Sequence, residues 1–264
     1  MRLALKIAYD GTMYHGYARQ PGAITIEGEI MKKLLAMGAI ENERDAHFQV
    51  ASRTDKGVSA AGNIIAFNTD MEAGSVANAL AHSVKGIWVA GFTEMPYNFN
   101  PRYVRSKTYR YYLYNDNFNI DAIRNAVELF VGEHDFTNFA KLDGRNPVRR
   151  IDRAKVSVGK ILKIDFEGKS FLWNQIRRMV AAVEKAGKEE ISVKDIEAVL
   201  ERKCKKNFGV APPENLLLVK IEYSKKLDFC HASKTKPFIS DVLKRCEINT
   251  KIFEDIERFF SLPK

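Results

Sequence analysis

Cysteine is scarce and scattered: Cys204, Cys230 and Cys246 are odd in number, form no Cys-x-x-Cys pair and have no histidine at zinc-finger spacing. That argues against both a disulfide framework and a structural zinc site. No apolar run approaches the ~18 residues that would span a membrane. Met1 leads straight into Arg2-Leu3-Ala4-Leu5-Lys6-Ile7, which alternates like a strand and lacks the apolar core of a signal peptide. A cytoplasmic chain is the expectation, with no membrane and no metal. Glutamine is confined to Gln20, Gln49 and Gln175 among many Lys and Glu, a bias of heat-adapted proteins.

What is present suits a globular chain: 264 residues, 45% apolar and 28% charged, enough for two moderate domains with a core each. A formal net charge of +9 points to a polyanionic partner, of which nucleic acid is the commonest. Charge alone does not separate RNA from DNA or from an anionic membrane.

Residues 3–9 alternate as a strand, and Asp10-Gly11 closes it as a turn. Ile26, Ile30, Met31, Leu34 and Leu35 recur at helical spacing after Thr25, a fitting N-cap, and Gly38 ends the run. Strands at 47–51 and 64–67, a helix opened by Ser75 and a strand at 87–92 complete the order strand, helix, strand, strand, helix, strand. The second half repeats it: strand 106–115, helix 120–130, a hairpin of 154–158 with 161–166, a long helix 171–186, an extra helix near 193–202 and a last strand 216–223. This predicts an α+β fold of two ferredoxin-like (βαββαβ) halves that share an extended antiparallel sheet, with an active-site cleft between them. The Pro- and Asn-rich seam at 95–102 sets the domains at 1–104 and 105–223. A helical C-terminal extension follows at 224–264, with Ile252, Ile256, Phe259 and Phe260 on one stripe.

The stretch with the most chemistry in it is Ser52-Arg53-Thr54-Asp55-Lys56-Gly57-Val58-Ser59, a polar loop between two apolar strands. By composition it is also what an ordinary turn looks like. Arg53 sets it apart, because an arginine two residues before an aspartate can hold Asp55 ionised by lowering its pKa. On the strand 106–114, Tyr109, Tyr111 and Leu113 share one face while Arg110, Tyr112 and Tyr114 share the other. On the helix 171–186, Phe171, Leu172, Ile176, Met179, Val180 and Val183 form the apolar face, and Arg177 lies beside it. Basic residues gather near the seam (Arg102, Arg105, Lys107, Arg110) and before the hairpin (Arg145, Arg149, Arg150, Arg153). With Arg19 of the first loop, they are candidate phosphate contacts.

The Arg-Thr-Asp-x-Gly-Val centre resembles the catalytic motif of the TruA family of tRNA pseudouridine synthases, in a form similar to the archaeal and eukaryotic branch. Ser52, Lys56 and Ser59 replace the Gly, Ala and His of the bacterial pattern. Further segments resemble the family in order: Tyr9-Asp10-Gly11-Thr12, Tyr109-Arg110-Tyr111, Gly132-Glu133-His134-Asp135-Phe136, Ser170-Phe171-Leu172 with Arg177, and Ala211-Pro212-Pro213-Glu214. The resemblance runs from about residue 3 to about residue 223. It implies Asp55 as nucleophile and Arg53 as its partner and as filler of the gap left by a flipped base. It also implies Tyr109 against the target base and Arg177 bonded to Asp55 from the second domain. Its substrate would be uridine in the anticodon stem-loop of tRNA, its assembly a homodimer, and its cofactors none.

Two other readings compete. A non-catalytic RNA-binding protein with two aromatic sheet platforms lacks an RNP-type Lys/Arg-Gly-Phe/Tyr run here. A metal-dependent hydrolase needs a carboxylate cluster, which a lone Asp beside Arg does not supply. A member of the same family acting on other RNA sites would carry the same residues.

Overall fold

The computed structural model describes residues 1–81, 83–232 and 235–261. The first half runs β1 (Arg2–Tyr9), α1 (Ile26–Ala36), β2 (Gln49–Val50), β3 (Ser59–Asn68), α2 (Ala73–Ala81) and β4 (Ile87–Met95). The second runs β5 (Ser106–Tyr114), α3 (Ile120–Glu128), β6 (Gly132–Asp135), β7 (Val148–Ile151), β8 (Arg153–Ser157), β9 (Ile161–Gly168), α4 (Gln175–Gly187), α5 (Val193–Leu200) and β10 (Leu216–Glu222). A short β11 (Cys230–His231) and a 27-residue α6 (Thr235–Ser261) follow.

Local chemistry accounts for the element ends. The Thr25 side chain accepts the Gly28 amide at the start of α1, and Gly38 takes φ +71° just beyond its end, the left-handed conformation that glycine adopts without strain. Ser192 and Asp195 form a reciprocal capping box on α5. Along β1, Leu3, Leu5, Ile7 and Tyr9 point into the core together with Ile30, Leu34, Val76 and Leu80 of the two helices.

Nine strands make one α+β sheet in the order β11-β4-β1-β3-β10-β5-β9-β8, with β2 added to β3. The sheet is mixed rather than antiparallel throughout. β3 and β10 run parallel, paired through Leu217 with Ser59 and Leu218 with Ala60. That parallel join has a geometric consequence: the loops entering both strands lie at the same end of the sheet. The Asp55 loop precedes β3 and the 211–215 segment precedes β10, so the join sets them side by side. A Cβ on Gly57 would lie 2.9 Å from Pro213 Cγ.

Three other expectations need correction. The strand expected at 47–51 shrinks to Gln49–Val50, because His47 takes a positive φ of 43° that a strand does not allow. The helix expected from Phe171 begins at Gln175: Asn174 is left-handed at φ 59°, and Trp173 pairs as an isolated bridge with Lys141. A small second sheet of β6 and β7 also stands where loop was expected. In the tail, Ile252 and Ile256 are half exposed; Phe259 and Phe260 lie outside the described side chains. No helix among the described residues is long and apolar enough to cross a membrane.

Candidate active site

The Asp55 loop is pinned by buried polar groups. Asn63, fully buried on β3, donates to Ser52 O at 2.7 Å and accepts from Ser52 N at 3.2 Å. The Tyr9 and Thr54 hydroxyls pair at 2.9 Å, Tyr17 N donates to Thr54 O at 3.0 Å, and Val58 N donates back to Asp55 O at 3.1 Å. Beneath the loop, a Cβ on Gly11 would stand 2.1 Å from Val58 O, so only glycine fits there. These bonds fix the backbone and leave the Asp55 side chain one-third exposed on an open cleft of ≈ 1170 Å³.

Across the cleft Arg177 Nη1 lies 3.9 Å from Asp55 Oδ2. Its guanidinium is held from behind: Nε donates to Ala211 O at 2.7 Å and Nη1 to Asn174 Oδ1 at 3.1 Å. The left-handed Asn174 that starts α4 late is therefore also the residue that aims Arg177. Burial raises the Asp55 carboxyl pKa, and the Arg177 charge partly offsets it. The sequence-based expectation ran the other way, with Arg53 lowering that pKa. Arg53 is exposed on the cleft wall and forms no ion pair among the described residues. Desolvation outweighs the single arginine that is near, because a 3.9 Å contact without a hydrogen bond recovers only part of the lost hydration.

Tyr109 is buried on the same cleft, its ring edge-on to Phe171 at 5.4 Å and its hydroxyl 2.8 Å from Ser52 Oγ. Burial pushes its pKa up to about 12. Next to it, Tyr111 donates to Pro212 O at 3.1 Å and steadies the segment that holds Arg177.

The candidate phosphate contacts separate into groups. Arg19 pairs with Glu43 and lies 3.9 Å from Glu27. Arg105 pairs with Glu222 at 2.8 Å, Arg145 with Asp143 at 2.6 Å and Arg150 with Asp152 at 3.2 Å, all on exposed side chains except the partly buried Glu222. Exposed pairs of this kind hold each other weakly, so a phosphate can replace the carboxylate. Arg110 makes a two-pronged bond to Asp165 at 2.7 and 2.8 Å on the outer sheet face. Arg149 donates to Asn146 O and Val148 O, and Arg102 stands on the cleft wall without a carboxylate partner among the described residues. Lys107 departs from the expectation. It turns inward, donating to Ala51 O at 2.8 Å and to Ser52 Oγ at 3.2 Å. Strand alternation is the reason, since Lys107 has the parity of Tyr109 and Tyr111.

Sequence reasoning also passed over Asn63 and Asn174. Asn63 carried a signal, a lone amide inside the apolar run 60–67. His134 serves structure, with Nε2 3.0 Å from Val131 O. Among the described residues no group of three or more His, Cys, Asp or Glu side chains could hold a metal.

A cleft between two α+β halves, with a carboxylate from one and an arginine from the other, defines a class that comparison with known proteins names. The family model described as tRNA pseudouridine synthase matches residues 126–224. The tRNA pseudouridine synthase A of Thermococcus sibiricus is 46% identical over 226 residues, 84% of this chain and 85% of that one. That of Pyrococcus furiosus is 39% identical and covers 97% of both chains, so its alignment reaches into α6. The chain belongs to the tRNA pseudouridine synthase family. Among solved structures, the archaeal box H/ACA sRNP Nop10-Cbf5 complex aligns over 69% of this chain and 43% of that one, at 11% identity and a TM-score of 0.35. That superposition is too loose to support a structural statement.

Proposed function

We propose that this chain isomerises uridine in the anticodon stem-loop of tRNA, with Asp55 as the nucleophile. The target base leaves its stack to enter the cleft. Asp55 attacks the nucleoside, at C1′ of the sugar or C6 of the ring. The N1–C1′ bond breaks, the base turns, a C5–C1′ bond forms and Asp55 is released; C5 loses a proton and N1 gains one. The chemistry balances without an oxidant, reductant or cofactor. Arg177 favours the ionised carboxylate, Tyr109 packs against the base, and Arg53, free on the cleft wall, fills the gap in the stem.

The observation that carries this reading is the 3.9 Å approach of Asp55 and Arg177 across the cleft, two charges held by separate halves and left open to a ligand. The strand orders β4-β1-β3-β2 and β10-β5-β9-β8 support two ferredoxin-like domains at 1–104 and 105–223, with 224–264 as an extension. Family membership supports a homodimer gripping tRNA with both copies, and tRNA as substrate supports a cytoplasmic setting.

The test is incubation of the purified chain with unmodified tRNA transcript, followed by carbodiimide labelling and primer extension. Pseudouridine in the anticodon stem-loop from wild type but not from Asp55→Ala is the expected result. Tight binding of tRNA by both proteins, with pseudouridine from neither, would favour the binding-module reading.

A further inference from the structure

Among the described residues Lys107 has no carboxylate bonded to it. It is mostly buried at the back of the cleft, and among the described residues it forms no ion pair. Its two hydrogen-bond acceptors are neutral oxygens, Ala51 O and Ser52 Oγ. Ser52 Oγ is also the partner of the Tyr109 hydroxyl. The three groups form a row: Tyr109 Oη, 2.8 Å to Ser52 Oγ, 3.2 Å to Lys107 Nζ. A serine hydroxyl donates once and accepts as well, so it can pass a proton along the row in either direction. Ser52 stands where the bacterial motif has glycine, which has no side chain to bridge the other two.

The reaction needs such a row. The hydrogen on C5 must leave once C5 is bonded to C1′, and Tyr109 is the residue against the base. Its own hydroxyl is a poor base, pushed up to about 12 by burial. We propose that Lys107 and the Ser52 hydroxyl form a proton relay behind Tyr109, which draws the C5 proton of the isomerised uracil out of the cleft. The C5–H bond breaks and its electron pair restores the ring double bond. That proton goes to Tyr109 Oη as the tyrosine proton passes to Ser52 Oγ and the serine proton to the neutral Lys107 amine. N1 of the product takes a proton from water, so the composition is unchanged, and the new ammonium returns its proton to solvent. This rests on the reading of the site given above.

The amine form that starts the relay is within reach near neutral pH. Burial brings the Lys107 pKa down to about 8, and the Arg102 charge adds to the effect. The cleft is also lined by Arg53, Lys56, Arg145, Lys169 and Arg177 and by the carboxylates of Asp55 and Asp143; of the charges around it, Arg102 is the one that bears on the Lys107 pKa. Lys107 is thus a positioning and relay residue that acts through Tyr109.

The test is single-turnover conversion at saturating tRNA, using transcript with hydrogen or deuterium at uracil C5, for wild type, Lys107→Met and Ser52→Gly. Relay loss should slow both variants by roughly 10²-fold, the lower range for a lost general base. It should leave tRNA affinity unchanged and raise the C5 isotope effect above that of wild type, because proton removal becomes the slow step. Weaker tRNA binding with an unchanged rate would make Lys107 a phosphate contact and overturn the relay. A slower rate with an unchanged isotope effect would reduce it to a structural role. If Lys107→Met does not fold, Ser52→Gly breaks the row at its middle and decides alone. Activity surviving in Asp55→Asn would instead bring down the underlying site reading, a different outcome from either.

Discussion

Asp55 is a carboxylate the fold would rather keep neutral, and that leaves a signature in stability. Its pKa is raised in the folded chain, by burial first, against the pull of Arg177. A carboxyl whose folded pKa exceeds its unfolded value near 3.9 binds more protons folded than unfolded in the interval between them, so stability falls as pH rises through that interval. Above the folded pKa the penalty is complete. Asp55→Asn should therefore be more stable than wild type at pH 7 while losing activity. The gain should shrink as pH falls through the folded pKa toward ~3.9. Urea denaturation of both proteins across that range checks it; a variant less stable at pH 7 would mean that Arg177 outweighs desolvation after all. The residue scale is also where the sequence was most legible, because the types and order of the motif residues are written in the chain. The order of residues pointed to Arg53 beside Asp55 and the family resemblance added Arg177; what neither could give was that, among the described residues, only Arg177 comes within ion-pair distance. Arg53 is two residues away in sequence and faces solvent, whereas Arg177 is brought in by the join of β3 and β10.

At the scale of elements, the site depends on two loops being pressed together, and Gly57 is where they touch. It takes φ +84°, and an added Cβ would meet Pro213 Cγ at 2.9 Å and Cβ at 3.2 Å. Alanine there is strained twice, by its backbone conformation and by the proline ring. Relief means moving the Asp55 loop away from the 211–215 segment, the same segment whose Ala211 carbonyl holds Arg177. Gly57→Ala should lower kcat by at least about tenfold, since misplacing a reacting group by an ångström is worth up to ~10²-fold, with a smaller effect on tRNA affinity. Steady-state kinetics separate the two; a change confined to KM would show that the loop contact serves binding alone. Most elements were legible from periodicity and caps, as with Thr25 and Gly38 around α1. The start of α4 was not, because Phe171 and Leu172 fit a helical stripe equally well whether or not the chain is helical there. The left-handed Asn174 that interrupts it is a conformational choice with no periodic signature. The parity of Lys107 with Tyr109, by contrast, was legible in the strand and outweighed by the charge that made it look like a surface contact.

On the scale of the whole molecule, the two halves meet through a two-pair parallel ladder and a few links beside it. Tyr223 donates to Pro101 O at 2.8 Å, and Lys107 Nζ donates to Ala51 O at 2.8 Å. A small apolar cluster of Ala51, Ile64 and Val104, with Ile221, Tyr223 and Phe229 against it, lies there too. The C-terminal helix packs instead against β4. On α6, Leu243, Ile248 and Phe253 are 58%, 60% and 68% exposed, so its described apolar side chains add little to the core they accompany. A helix whose stripe stays in water is held by local bonds such as Lys251 to Glu254 at 2.7 Å, worth only about 0.2–0.5 kcal/mol each. Removing residues 233–264 should then leave the catalytic halves folded. The melting temperature should shift by less than about 4 °C, the change that ~1 kcal/mol brings in a chain of this size. Single-turnover conversion of saturating tRNA should continue at the wild-type rate. Differential scanning calorimetry and that assay together decide it: a large fall in melting temperature would mean that the stripe is covered in solution, and that the tail belongs to the working assembly rather than beside it.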